Sequence, residues 1–215
     1  MHRFFKATWF WITLKVLGWG FLAGYLLLSG DWRVSPFWAL GVPAVSFFVA
    51  WLFVGLKLFD RIPKLNGYLL YSDGDKTRPT AVSSDDWALK QAAYLNAGFR
   101  WKAFLSTPAE DGLICVPILL AGIGPLSAML GGVAFGCLHL ARYTYMECIG
   151  KSITYAIVCY FFLPHGVLTV ALGHVIMNGI AFAGLQIARR KLPAELRTDI
   201  TADPDARVRV AQHLQ

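Results

Sequence analysis

Apolar positions along this chain gather into six runs, 8–28, 36–59, 108–123, 125–141, 149–163 and 166–188, parted by breaks that are short except for the one after the second run. A helix needs about 17–25 residues to cross the hydrocarbon of a bilayer. Most of the runs approach that length, although the third to fifth are short. The pattern predicts an all-α membrane protein built as a bundle of about six transmembrane helices. The first run is too long and too rich in Trp and Phe for a cleavable signal peptide, and no A-x-A-like site follows it. Between the second and third runs lies a polar stretch, 60–105. Its Ser72-Asp73-Gly74-Asp75 predicts a turn. Ser83 and Asp86 then have capping-box spacing at a helix start. Beyond them Trp87, Tyr94, Leu95, Phe99, Trp101 and Phe104 alternate with Lys90, Arg100 and Lys102. That is the pattern of an amphipathic helix lying in a membrane interface.

Composition agrees with lipid as the solvent: 56% of the 215 residues are hydrophobic and only 15% are charged. Soluble domains carry about 25% charged residues. Charge placement predicts an orientation. Arg3 and Lys6 precede the first run, Arg61 to Lys102 fill the long connection, Arg142 and Lys151 flank the fourth break, and Arg189 to Arg209 follow the sixth run. The remaining three breaks hold only Arg33. By the positive-inside rule both termini are cytoplasmic, in a multi-pass membrane protein. The net charge of +7 then reads as topology and contact with anionic lipid, and a nucleic-acid partner is not expected. Four parts follow: an N-terminal transmembrane hairpin (1–59), a cytoplasmic loop with the amphipathic helix (60–106), a helical core (107–188) and a basic tail (189–215). Gly20 and Gly24 form a G-x-x-x-G stripe that would admit a close helix neighbour. The four cysteines, in or beside apolar runs and without C-x-x-C, read as small buried hydrophobes.

Against this background a few polar residues stand out. His139 closes the fourth run, and His174 and Asn178 lie one turn apart inside the sixth. A strongly polar group at hydrocarbon depth costs free energy unless it faces a partner or a wet cavity, so such groups read as functional. Two of them have a plainer account: His139 as a half-wet residue at a helix C-terminus, Asn178 as packing glue between helices. Glu110 and Asp111 open the third run. Thr107-Pro108-Ala109-Glu110 has the form of a helix start, with Thr at the N-cap, Pro at N1 and Glu at N3, so Glu110 reads first as a cap. His165, after Pro164, reads as a turn residue. One carboxylate, two imidazoles and an amide converging in a low-dielectric cavity suit water activation and oxyanion stabilisation. Glu110, His139 and His174 would also make a zinc set, although H-E-x-x-H and G-x-S-x-G are both absent.

Phe135-Gly136-Cys137-Leu138-His139 and His174-Val175-Ile176-Met177-Asn178 resemble the second and third motifs of the CPBP intramembrane proteases, the CAAX-protease and bacteriocin-processing (Abi) family. The resemblance covers residues 107–188. The order Glu110, His139, His174 and the separations between them look like those of bacterial members. The resemblance implies an endopeptidase that hydrolyses a membrane-embedded or lipid-anchored protein near the cytoplasmic face, with no required metal cofactor. By that resemblance Glu110 activates water with help from His139, and His174 and Asn178 stabilise the oxyanion. Asp111 and Phe135 support them. The first motif departs from the family's Glu-Glu-x-x-x-Arg: Asp111 stands for the second Glu and Cys115 for the Arg. A catalytically inactive membrane scaffold or immunity protein therefore remains the alternative function, and a small proton relay or transporter a third.

Overall fold

The computed structural model describes residues 8–66, 101–140 and 143–190, and every regular element among them is helical. The expected turn at 72–75, the start of the interfacial helix at 83–86 and the basic tail lie outside the described residues. Each of the six apolar runs forms a helix: α1 (Thr8–Ser29), α2 (Pro36–Gly55), α4 (Trp101–Ala121), α5 (Pro125–His139), α6 (Tyr145–Phe161) and α7 (Val167–Arg190). A single turn, α3 (Leu58–Arg61), and a 3-10 turn at Pro63–Asn66 follow α2; another 3-10 turn, Leu163–His165, joins α6 to α7. Three helices, α1, α2 and α7, are long and apolar enough to cross a membrane. The shortest of the six, α5, has 15 residues. That makes it only about 22 Å long.

Local chemistry sets the ends. Gly30 takes φ 65° and returns its N–H to Leu26 O at 3.1 Å. It closes α1 with the left-handed conformation that glycine tolerates best. Pro36 opens α2 at N1, where its fixed φ suits a helix and its missing N–H costs nothing. A reciprocal capping box starts α6: Glu147 N–H donates to Thr144 Oγ1 at 3.2 Å, and Thr144 N–H donates to Glu147 Oε2 at 2.8 Å. Two N–H groups that the first turn would otherwise orphan are thereby satisfied. That helix therefore begins at Tyr145, ahead of the apolar run that predicted it. Some hydroxyls within the long helices satisfy themselves locally, as when Ser46 Oγ donates to Val42 O at 2.8 Å, the usual back-bond of a helical serine.

One expectation is overturned. Thr107-Pro108-Ala109-Glu110 does not start a helix, because α4 begins at Trp101 and carries Pro108 in its interior. Pro108 withholds one N–H from the ladder, and the turn before it stays helical. Glu110 is thus a mid-helix residue and caps nothing.

The legs of the N-terminal hairpin lie apart: α1 runs along α4, whereas α2 runs along α7 and α6. The most extensive pairing is α5 with α6, where a Cβ on Gly132 would overlap Ser152 O. The α1–α4 crossing rests on Gly18 against Gly112 in the same way. The G-x-x-x-G stripe is not what that crossing uses, since Gly20 and Gly24 face open space. Ser35 N–H donates to Thr169 Oγ1 at 2.9 Å, tying the α1–α2 connection to α7. The core gathers Cys115, Val158, Cys159, Leu163, Val167 and Val170, all at most 1% exposed. The outside is also apolar: Leu120 is 76% and Phe37 78% exposed. An apolar exterior of that extent is the surface of a protein solvated by lipid.

Candidate functional site

The centre of the bundle is polar. Asp111, half-way along α4, has a side chain with no exposure at all. Two donors from other helices reach it. His174 of α7 approaches with Nδ1 at 3.0 Å from Oδ1 and 3.3 Å from Oδ2, and Tyr155 of α6 donates its hydroxyl to the same Oδ1. A carboxylate only accepts, so Nδ1 of His174 carries a proton, and the opposite ring edge, Nε2, points away from Asp111. The Tyr155 hydroxyl has one proton, spent on Asp111. The Cys115 thiol, 3.2 Å away, is therefore the donor to Tyr155 Oη. A relay results: Cys115 to Tyr155 to Asp111, with His174 entering from the other side.

Phe135 of α5 forms the wall of this network. Its ring stacks on Tyr155 with centroids 3.9 Å and planes 4° apart, and meets His174 edge-on at 5.5 Å. The edge-to-face contact is of the kind that attracts beyond the area it buries. His139 lies one turn on, 4.5 Å from Phe135. Its Nδ1 sits 2.8 Å from Phe135 O. A carbonyl cannot donate, so Nδ1 holds the proton and Nε2 of the neutral ring is an acceptor. Asn178 donates Nδ2 to Thr107 Oγ1 at 2.9 Å, joining α7 to α4 one turn before Asp111. That bond leaves the amide a second N–H.

Glu110 is the neighbour of Asp111 but is turned about 100° around the helix. It is half-buried, within electrostatic reach of His174, Asp111, Lys151 and Lys15, and no hydrogen bond or ion pair joins it to another described residue. At about 1.5 Å per residue, Asp111 lies about 15 Å, Tyr155 about 9 Å and His174 about 10 Å from the end of the bundle that holds residues 122–124 and 162–166. The pair is thus sunk well inside the helices.

The structure brings together Asp111, His174 and Phe135 of the residues singled out from sequence, with His139 on the same wall and Asn178 on the adjoining turn of α7. It gives the carboxylate directly bonded to His174 as Asp111 and not Glu110. Among the described residues no three His, Cys, Asp or Glu side chains, Glu110, His139 and His174 included, are grouped to hold a metal ion. Tyr155 and Thr107 were missed from sequence. The signal was present, since a Tyr hydroxyl inside an apolar run needs a partner for the reason that flagged Asn178. His165, read as a turn residue, does sit in the 3-10 turn and stacks on Trp38 with centroids 4.1 Å apart. No protein-family model, curated protein or solved structure matches the chain.

Proposed function

We propose that this chain is an intramembrane endopeptidase of CPBP type that hydrolyses a peptide bond in a membrane-embedded or lipid-anchored protein. In this reading all six of these helices cross the bacterial inner membrane, with both termini and the site's opening on the cytoplasmic side. One observation carries it. A carboxylate–imidazole pair, Asp111 and His174 at 3.0 Å, is buried in a lipid-facing bundle beside a second carboxylate, Glu110, with no hydrogen-bond partner among the described residues. Holding a carboxyl and an imidazole in an apolar interior costs several kcal/mol in such sites, a cost that packing alone gives no reason to bear.

Glu110 takes a proton from water as the water oxygen bonds to the scissile carbonyl carbon. His139, with Nε2 as acceptor, orients that water. Negative charge develops on the carbonyl oxygen; His174, protonated on both ring nitrogens at this step, donates its Nε2–H to that oxygen and Asn178 donates its spare N–H. The C–N bond then breaks, and the proton held by Glu110 passes to the leaving amine. Asp111 keeps His174 in one orientation throughout, as the carboxylate does in a Ser-His-Asp triad.

The test is to map new protein N-termini in membranes of cells expressing the wild type, Glu110→Ala or His174→Ala. Termini present only with the wild type, at equal expression of all three, are expected. Identical sets in all three would sink the reading.

A second reading, a non-catalytic scaffold, is favoured by the Asn178–Thr107 bond, which spends a predicted site residue on holding α7 to α4. It expects partner binding and phenotype to survive His174→Ala.

A further inference from the structure

We propose that Tyr155 is the positioning residue of this site, fixing Asp111 from the facing helix and so replacing the arginine absent at position 115. The proposal rests on the hydrolase reading for its kinetic arm only.

Asp111 is a buried carboxylate with no cation other than the His174 ring bonded to it among the described residues. Left with one partner it would swing about its χ angles, and the His174 ring would swing with it. Three features prevent that. The Tyr155 hydroxyl donates to the same oxygen that His174 contacts, so Oδ1 is bound from two helices at once. The Tyr155 ring cannot rotate away, because Phe135 lies flat against one face of it. The Cys115 thiol, also fully buried, closes on Oη from α4.

Position 115 is one turn after Asp111 on the same helix, within reach of a side chain at 111. An arginine there would point its guanidinium at the carboxylate and occupy the place where Tyr155 now sits. Cysteine is short enough to leave that place open. The two departures from the first motif, at 111 and 115, thus belong together: a shorter carboxylate is met by a donor from α6 instead of one from its own helix. A neutral phenol also leaves Asp111 with a single cationic partner at most. His174 then feels the whole of the carboxylate, where an arginine would have neutralised part of it.

The measurement uses the full chain in nanodiscs of phosphatidylethanolamine and phosphatidylglycerol, labelled with 15N-histidine, with His174 assigned by its loss in His174→Gln. In the wild type the Nδ1–H signal of His174 should be sharp and slow to exchange. Tyr155→Phe keeps the ring and its stack on Phe135 but removes the donor. Exchange should rise at least tenfold. Turnover of internally quenched farnesylated and transmembrane-helix peptides should fall about 10- to 100-fold in kcat, with KM within about threefold, the scale seen when an orienting group is lost. Unchanged exchange in a folded Tyr155→Phe protein overturns the proposal, whatever turnover does. Faster exchange with no turnover even in the wild type leaves the positioning role standing and removes the hydrolase reading. Where Tyr155→Phe does not fold, Cys115→Ala serves instead: it strips the donor from Oη and should speed exchange in the same direction by a few fold, and no change there overturns the proposal equally.

Discussion

Glu110 and Asp111 are adjacent carboxylates, yet their replacement by alanine should separate stability from activity. Asp111→Ala orphans two buried donors, the Tyr155 hydroxyl and the His174 Nδ1–H. A buried donor left without its acceptor costs about 1–3 kcal/mol, which sets a ceiling of about 6 kcal/mol for the pair. Hydrogen bonds between membrane helices average only about 0.6 kcal/mol, because separated helices find other partners, which sets a floor of about 1 kcal/mol. The unfolded chain keeps Asp111 in hydrocarbon, so alanine recovers no insertion cost at this step. Between these bounds, with a small void added where α4, α6 and α7 meet, Asp111→Ala should lose about 2–4 kcal/mol. Asp111→Asn retains one acceptor and should lose about half as much. Glu110→Ala breaks no bond to a described residue. It should change stability by less than about 0.5 kcal/mol while abolishing turnover. The assay is reversible unfolding in bicelles followed by tryptophan fluorescence, alongside cleavage of the quenched peptides. If Glu110→Ala were as destabilising as Asp111→Ala, the assignment of the buried partner to Asp111 would be wrong.

Three further outcomes are expected. Gly132→Val puts a branched side chain where Ser152 O and Ala156 already lie. Overpacking should cost about 1–3 kcal/mol or force α5 off α6, read as a lower melting temperature and a lost Phe135–Tyr155 stack. A double-mutant cycle of Thr107→Val and Asn178→Leu should give a coupling of about 0.6–1.7 kcal/mol; a coupling near zero would mean that the 2.9 Å bond holds nothing. Outside the membrane, the hydrogen bonds from Arg33 hold the Asp31 carboxyl below its ordinary value of 3.8. A lowered folded value means that the contribution is present above the ordinary value and fades as pH falls through the folded one. Because the pair is at the solvent the effect is small, and the melting difference between wild type and Asp31→Asn should narrow as pH falls below 3.8.

The helices were legible because lipid reads composition directly: a run of bilayer length must be helical to satisfy its own backbone. Their ends were less legible. Thr107-Pro108 has the form of a start, but Trp101 to Ser106 continue the helix through it. Conversely, the Thr144–Glu147 capping box was in plain view, hidden only because it precedes the apolar run. At the centre, His174 and Asn178 were found by asking what buried polar groups need. The same question put to Tyr155 would have found it. No such question could choose between Glu110 and Asp111.

By itself the sequence determined that this protein lives in lipid as a helical bundle and that polar chemistry lies within it, because both follow from one-dimensional patterns of apolar length and polar exception. Only the tertiary structure decided which carboxylate meets His174 and which second donor reaches it from α6. Adjacent residues on a helix point about 100° apart. The rotation that turns Asp111, and not Glu110, towards α6 and α7 is set by where α4 crosses its neighbours. Gly112 lies against Gly18 on one side, while Tyr155 and His174 close on Asp111 on the other, with Phe135 stacked on Tyr155.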